Sequence, residues 1–125
     1  MLFSLFDNKT KSKFISARVP SGMTEEETFK LPKDATIKSI EARIYPGAQL
    51  DLQLEPVLEK KDSDTEIDLV DYPGDKNHIE GDDDVIQLPT NVEAEKDDVL
   101  KVKAENIDTN GNAYDYYVII VLEER

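Results

Sequence analysis

The sequence predicts an all-β protein, a single antiparallel β-sandwich of about eight strands with a jelly roll as the favoured topology. Three observations predict this fold class. Apolar and polar residues alternate along several segments with the period of two that half-buried strands show. Turn-forming proline, glycine and Asx residues recur at short intervals. No segment carries a helical period over a useful length, and 125 residues suit one domain.

The first half of the chain contains three predicted strands, at residues 14–19, 28–31 and 36–45, with a polar stretch at 24–27 left outside them. Ile40, Ala42 and Ile44 share one face of the third strand. Ile37 is out of phase with them, which predicts a β-bulge at residues 38–39.

The second half contains further predicted strands at residues 49–55, 66–70, 85–88, 99–105 and 114–123, with a short addition at 92–94. Residues 57–58 continue the first of these past Pro56, which favours an edge or a bend there. Residues 71–84 form a long loop, a kind that is often functional or mobile in compact domains. The Asn110-Gly111 pair predicts a tight hairpin between the last two strands. The last strand is the most apolar, so we expect it in the centre of a sheet and covered on both faces.

Composition excludes several classes of function. The formal net charge of -13 repels phosphate and anionic lipid, so we expect neither a nucleic-acid nor a membrane partner. The absence of cysteine excludes disulfides, a thiolate zinc site and a cysteine nucleophile. A single histidine, His78, excludes a histidine-rich metal site. The first residues do not have the order of a secretory signal, so we expect no secretion through a signal peptide.

The N-terminal segment differs in charge from the rest of the chain. Residues 1–19 contain four basic residues against Asp7, a net of +3, so the remainder carries -16. We therefore divide the chain into an arm, residues 1–13, and a β-sandwich domain, residues 14–125. The candidate assembly residues of the arm are Met1, Leu2, Phe3, Leu5, Phe6, Lys9, Lys11 and Lys13. The arm either locks onto a neighbouring subunit, with apolar anchors and basic side chains, or adds an edge strand to its own body.

No arrangement of residues points to catalysis. His78 lies in the long loop, and no G-x-S-x-G elbow presents a serine to it. The glycines are not spaced as a phosphate-binding loop requires. With 28 acidic residues, some carboxylate pair lies at any chosen spacing, so a glycosidase-like pair carries no information. We therefore expect no enzyme.

One calcium site is an alternative to simple turn formation. Asp108, Asn110 and Asn112 place oxygens at alternating positions, as the opening of an EF-hand loop does. Ala113 stands where the loop glycine should be, Gly111 comes too early, and Ile119 occupies the place of the closing glutamate. Asx residues are also good turn formers, which favours the plain turn. No other cofactor is expected.

The tyrosines at the start of the last strand, Tyr114, Tyr116 and Tyr117, together with His78, are the candidate ligand-binding residues. An exposed aromatic strip would bind a sugar or a protein partner. The alternative is cross-strand packing with the hydroxyls in water.

The segment 92–124 resembles part of many small β-sandwich proteins of virions. In it, Asp98, Leu100, Val102 and Asn106 precede the tyrosine-rich apolar strand Tyr116–Leu122. The resemblance implies a viral or phage capsid, decoration or spike subunit, located in the virion or, before assembly, in the host cytoplasm. It implies a non-enzymatic structural protein that self-assembles and contacts other subunits of an assembly. The alternative is a carbohydrate- or protein-binding β-sandwich module.

Overall fold

The structure, a computed structural model, describes residues 10–45, 51–63, 65–70, 79 and 84–125. The strands are β1 (Thr10–Val19), β2 (Thr24–Lys30), β3 (Ala35–Ile44), β4 (Leu52–Glu59), β5 (Glu66–Asp68), β6 (Asp84–Ala94), β7 (Val99–Asn106) and β8 (Tyr114–Glu124). No helix occurs among these residues, and so none that is long and apolar enough to cross a membrane. The predicted all-β fold is confirmed.

The strands form two antiparallel sheets, with the orders β1-β8-β3-β6 and β2-β7-β4-β5. The first strand pairs with the last, β2 with β7, β3 with β6 and β4 with β5. The chain therefore runs as one long folded hairpin whose successive pairs alternate between the sheets. This nesting is the arrangement of a jelly roll, in agreement with the favoured topology.

The core lies between the sheets, and strand alternation explains its composition. Leu52 and Leu54 of β4 and Leu100 and Val102 of β7 are completely buried, whereas their neighbours along each strand are not. The largest buried side chain is that of Tyr116. Such alternation buries one face of each sheet in a common core.

The predicted β-bulge is confirmed. Ile37 and Ile40 are both completely buried, although three positions separate them. The register of β3 shifts between Ile37 and Ser39 against both of its neighbours. Against β8 the extra residue is Lys38 of β3, which lets both isoleucines face the core.

Two edge strands are longer than predicted. The polar stretch 24–27 belongs to β2, and β6 continues through Pro89 as a single strand instead of two short ones. Each of these strands pairs with a neighbour on one side only. An edge strand keeps polar side chains in water and tolerates a proline that lacks an N–H, so neither strand needs a clear apolar alternation.

The predicted tight hairpin at Asn110-Gly111 is wrong. Strand β7 lies between β2 and β4, and β8 lies between β1 and β3, so the connection crosses from one sheet to the other. Gly111 does have a φ of 87°, as a turn glycine should. The pair therefore signals the turn, but the pairing of the flanking strands depends on the rest of the chain.

Strand β8 is central, as expected, but it is not covered on both faces. Tyr116, Val118 and Ile120 are buried in the core, whereas Tyr117 and Ile119 are half-exposed on the opposite face. The outer face of its sheet is therefore open along its centre.

Strand β4 continues past Pro56, as predicted, but as an inner strand rather than at an edge. The Pro56 carbonyl accepts a hydrogen bond from Leu69 N at 3.0 Å, just beyond the end of β5. Two residues earlier, Leu54 exchanges backbone hydrogen bonds with Ile79, whose side chain is completely buried. Ile79 thus belongs to the core although it falls in the predicted loop. The rest of that loop, except for Asp84 at the start of β6, lies outside the described residues.

Candidate functional site

The outer face of the β1-β8-β3-β6 sheet has an apolar centre. Strand register places Phe14 beside Ile119 and Val85 beside Arg43, all on the side away from the core. We call the following side chains the aromatic face: Phe14, Tyr45, Val85, Tyr117, Ile119 and Val121.

Three rings from three strand segments meet on the aromatic face. The ring centroids of Phe14 and Tyr117 lie 5.5 Å apart with their planes 29° from parallel. Tyr45 meets Tyr117 edge-on, with 6.2 Å between centroids. The Arg43 guanidinium lies 5.1 Å from the Tyr45 ring centroid. These distances are typical of favourable aromatic and cation–π contacts, so the rings hold one another in place.

The polar end of this cluster is the Glu41 carboxylate. Tyr117 donates a hydrogen bond to Glu41 Oε2 at 3.3 Å, and Gln87 Nε2 donates to Oε1 at 2.7 Å. Partial burial and the nearby Glu41 charge raise the pKa of the Tyr117 hydroxyl. Both oxygens of Glu41 are therefore engaged by neighbours within the sheet.

A groove of about 470 Å³ runs beside the rings between β3, β6 and β8. Its lining consists of Ser39, Ile40, Glu41, Gln87, Leu88, Pro89, Ile119 and Val121. Glu41 is the single titratable residue in this lining. General acid–base chemistry of the glycosidase type needs a pair of such groups, and the groove does not supply one.

The outer face of the other sheet is charged. Lys101 Nζ lies 2.5 Å from Glu59 Oε2, and Lys103 Nζ lies 2.5 Å from Glu66 Oε1. The hydrogen bond that Lys101 donates to Glu59 raises the pKa of Lys101, and the one that Lys103 donates to Glu66 lowers the pKa of Glu66. We call this surface the charged face. Its outward positions carry six carboxylates and three lysines: Glu26, Glu55, Glu59, Glu66, Asp68 and Glu105, with Lys30, Lys101 and Lys103.

The predicted arm falls partly within the sandwich. Strand β1 begins at Thr10, so residues 10–13 pair with β8. Lys11 is exposed, and Lys13 Nζ lies 4.5 Å from the Phe29 ring centroid, where it bridges β1 to β2. The other predicted arm residues, Met1, Leu2, Phe3, Leu5, Phe6 and Lys9, lie outside the described residues. Their role stays a prediction.

The three candidate tyrosines do not share one surface. Tyr116 points into the core with 2% exposure, and burial raises its pKa to about 12. Tyr114 is half-buried, and its hydroxyl donates to Asp108 Oδ1 at 3.4 Å. Tyr117 alone of the three belongs to the aromatic face, because neighbouring positions on a strand face opposite ways. The fourth candidate, His78, lies outside the described residues.

Sequence reasoning missed Phe14, Tyr45 and Val85. These side chains are 57%, 41% and 49% exposed, respectively. The sequence does contain one indication of this surface: β1 and β8 carry apolar residues at outward positions, such as Phe14 and Ile119, as well as at inward positions. The approach of Tyr45 to them follows from the strand order, which no local pattern reveals.

The Asp108 side chain acts as a turn cap. It is 4% exposed, and its Oδ2 accepts hydrogen bonds from the backbone N of Asn110 and of Asn112, both at 2.9 Å. Its Oδ1 accepts from Asn112 Nδ2 at 3.2 Å. The backbone hydrogen bond from Asn112 is the main cause of the lowered pKa of Asp108. No cluster of three or more acidic or histidine residues that could hold a metal ion occurs in the described ranges. A calcium ion at Asp108, Asn110 and Asn112 stays a prediction.

No protein-family model matches the sequence, and no curated protein matches it. Among solved structures, a chain of the cyanophage Pam1 capsid asymmetric unit aligns over 93% of this chain and 85% of its own, with a TM-score of 0.56 and 10% identity. PliG of Aeromonas hydrophila, a periplasmic inhibitor of g-type lysozyme, aligns over 90% of this chain and 86% of its own, with a TM-score of 0.45 and 9% identity. VP2 of infectious bursal disease virus aligns over 92% of this chain, with a TM-score of 0.45 and 10% identity. This chain spans 33% of that VP2 chain. The resemblance to virion β-sandwich proteins is confirmed at the level of the fold, through the Pam1 chain.

Proposed function

We propose that this protein is a non-enzymatic structural subunit that assembles with copies of itself. The observation that carries the proposal is the aromatic face, an open apolar surface at the centre of a sheet. Contiguous exposed apolar patches are uncommon on monomeric soluble proteins and commonly mark interaction sites. Phe14, Tyr45 and Val85 are three of the six large apolar side chains exposed among the described residues.

The arrangement of polar groups supports a structural role over an enzymatic one. Within the described ranges, the carboxylates with shifted pKa values hold the fold together: Glu66 in the charged face, Asp98 beside Lys60, and Asp108 in its turn. A catalytic residue requires a reactive group that faces a substrate cavity. Each of these three side chains instead faces a hydrogen-bonding neighbour of its own chain.

The shared fold of the Pam1 capsid chain adds support for an assembly role. That protein is part of a capsid, and it shares the jelly-roll path of this chain at 10% identity. A fold alone hosts many functions, so this likeness carries less weight than the aromatic face. On this proposal the protein works in a virion, is present in the host cytoplasm before assembly, and contacts other subunits besides its own copies.

The arm is proposed to strengthen assembly by binding a neighbouring subunit. The test is the mass in solution, by light scattering, of the full chain and of a chain that lacks residues 1–9. The cut falls at residue 9 because a longer deletion would remove paired residues of β1. A full chain that forms oligomers and a truncated chain that is a folded monomer would support assembly through the arm. A full chain that stays monomeric at all concentrations would contradict self-assembly.

A binding module is the second candidate, and the exposed ring of Tyr45 beside Tyr117 favours it. Aromatic rings at a surface stack on sugars or anchor protein partners. A glycan array provides the test, and the informative variant is Tyr45→Ala, with Ile107→Ala, which removes an exposed apolar side chain outside the aromatic face, as the control. A sugar signal that Tyr45→Ala abolishes and Ile107→Ala retains would favour the module. Tyr116→Ala would be uninformative, because it would remove a core side chain.

A further inference from the structure

We infer that two copies of this chain bind each other face to face through the aromatic face. The inference rests on the proposed self-assembly and identifies the surface that performs it. The partner is a second copy of the chain, and the contact is between two sheet surfaces rather than between two strand edges.

Charge is the first argument for a second copy as the partner. The four charged side chains nearest to the rings cancel, because Arg18 and Arg43 balance Glu41 and Asp115, while Glu93 and Glu123 lie farther along the same sheet face. The charged face, in contrast, carries six carboxylates against three lysines. Two copies that each carry -13 repel each other, so they approach with the least repulsion through a surface whose charges cancel.

The mixture of signs also makes the surface complementary to itself. In a two-fold interface the same patch serves both partners, so an excess of one sign would face the same excess on the other copy. Arg18 pairs with Asp115 within its own chain at 3.4 Å, and Arg43 and Glu41 add one group of each sign, so no such excess arises beside the rings. A partner of uniform charge, such as a nucleic acid or a strongly basic protein, would gain nothing from this balance.

The residue types of the patch are those of an interface. Phe14, Tyr117, Ile119 and Val121 form an apolar group on β1 and β8, and Glu41 and Arg43 of β3 lie between this group and Val85 of β6. Aromatic residues and arginine are enriched at the energetic centres of protein interfaces, and polar residues at their rims. The contact between Arg43 and Tyr45 places such a pair on the patch.

The size of the sheet suits a specific contact. Four strands at a spacing of about 4.8 Å, each about ten residues long at a rise of about 3.3 Å, give a face of roughly 600 Å². A standard specific interface buries about 800 Å² on each partner. Protruding side chains make the accessible area of the sheet face larger than this calculation for a flat rectangle. One sheet face therefore supplies most of the area that a stable dimer needs.

Pairing through the β2 edge is disfavoured, because that strand carries three consecutive glutamates. Glu25, Glu26 and Glu27 all lie in β2, and the last two are exposed. Charged residues along an edge strand oppose pairing with another chain. A second β2 strand would bring six carboxylates together, so the β2 edge does not compete with the sheet face as the contact.

The test compares three substitutions that each add one negative charge to an exposed outward position of an edge strand. Phe14→Glu and Val85→Glu alter the aromatic face, and Thr28→Glu alters the charged face as the matched control. Light scattering over a range of concentrations gives the dissociation constant, and circular dichroism verifies folding. We expect the two aromatic-face variants to weaken dimerisation at least about tenfold and Thr28→Glu to leave it nearly unchanged.

The outcomes separate this inference from the proposed function. If the unaltered chain forms oligomers and the Phe14→Glu and Val85→Glu variants form them equally well, the face-to-face contact is overturned. Self-assembly would then occur through another surface. An unaltered chain that is monomeric at every concentration would overturn both.

Cross-linking gives a second readout that does not depend on weakening the contact. The chain contains no cysteine, so a maleimide cross-linker reacts at the introduced cysteine and the cross-link identifies that position. With a short bis-maleimide, Ser16→Cys on the aromatic side should give a covalent dimer, and Thr28→Cys on the charged face should give none. Equal cross-linking of the two variants would count against the contact.

Discussion

Lys60 Nζ lies 2.6 Å from Asp98 Oδ2, and the Asp98 side chain has no solvent exposure. The same carboxylate accepts hydrogen bonds from the backbone N of Lys61 at 3.0 Å and of Glu95 at 2.8 Å. Lys60 directly follows β4 and Glu95 directly follows β6, so this one carboxylate joins the two sheets. Burial raises the pKa of Asp98, but the Lys60 and backbone hydrogen bonds outweigh it and hold the pKa below the ordinary value of 3.8.

Substitution Asp98→Asn should lower the free energy of unfolding by about 3 kcal/mol, because it removes a buried charge-assisted hydrogen bond and turns one acceptor into a donor. Urea unfolding measures this change. The control is Asp97→Asn, an exposed neighbour whose φ of 74° asparagine also tolerates. Equal stability of the two variants would show that the buried carboxylate contributes little.

The effect of Asp98 should depend on pH in a defined direction. The pKa of Asp98 is lower in the folded state than in the unfolded state. The Asp98 carboxylate therefore contributes fully to the free energy of unfolding above the unfolded-state pKa of 3.8, and this contribution is lost as the pH falls through the lower folded-state pKa. The stability difference between the unaltered chain and Asp98→Asn should therefore be constant near neutral pH and shrink below about pH 4. A difference that stays constant down to pH 2 would contradict this origin.

The titration of Tyr116 should report its burial. Burial, with the Glu27 and Glu25 charges as smaller causes, raises its pKa to about 12 from 10.0. As the pH rises, Tyr116 loses its proton at a lower pH in the unfolded chain than in the folded chain. The free energy of unfolding therefore falls by roughly 2 to 3 kcal/mol between about pH 10 and 12. Absorbance near 295 nm should show a late-ionising tyrosine that Tyr116→Phe removes. A native chain in which Tyr116→Phe removes no late-ionising group would contradict the buried position.

Asn106 should be essential to the connection between β7 and β8. Its side chain is 1% exposed, donates to Val19 O at 3.0 Å and Asn112 O at 2.8 Å, and accepts from Asp108 N at 2.9 Å. Asn106→Leu keeps a similar volume but leaves buried backbone groups unpaired, so we expect a loss of about 3 kcal/mol in urea unfolding. The same change at exposed Asn91 should cost less than about 0.5 kcal/mol. Similar losses at the two sites would argue against the network.

Salt and calcium should both raise the melting temperature. The net charge of -13 leaves carboxylates that repel one another, and salt screens this repulsion. Millimolar calcium adds stabilisation by binding to the folded state if it occupies an acidic site such as that of Asp108. Magnesium at equal ionic strength separates specific binding from screening. Unchanged melting curves in both titrations would contradict the expectation.

Side-chain direction was predictable from alternation, because it repeats every two residues along a strand. The inward positions of Leu52, Leu54, Leu100 and Val102 follow from it, and the bulge beside Ile37 follows from a break in its phase. Composition also sufficed to exclude a disulfide framework and cysteine chemistry. Each of these results depends on residues that are close together in the chain.

The partners of each strand were decided only by the tertiary path of the chain. Asn110-Gly111 makes a turn, yet β7 and β8 enter different sheets because their neighbours on both sides come from distant segments. Asp98 meets Lys60 from 38 residues away, and Phe14, Tyr45 and Tyr117 meet because β1 and β3 both flank β8. Local patterns show which way a side chain points, but contacts between distant segments depend on how the whole chain packs. The aromatic face is therefore a property of the strand order and not of any single segment.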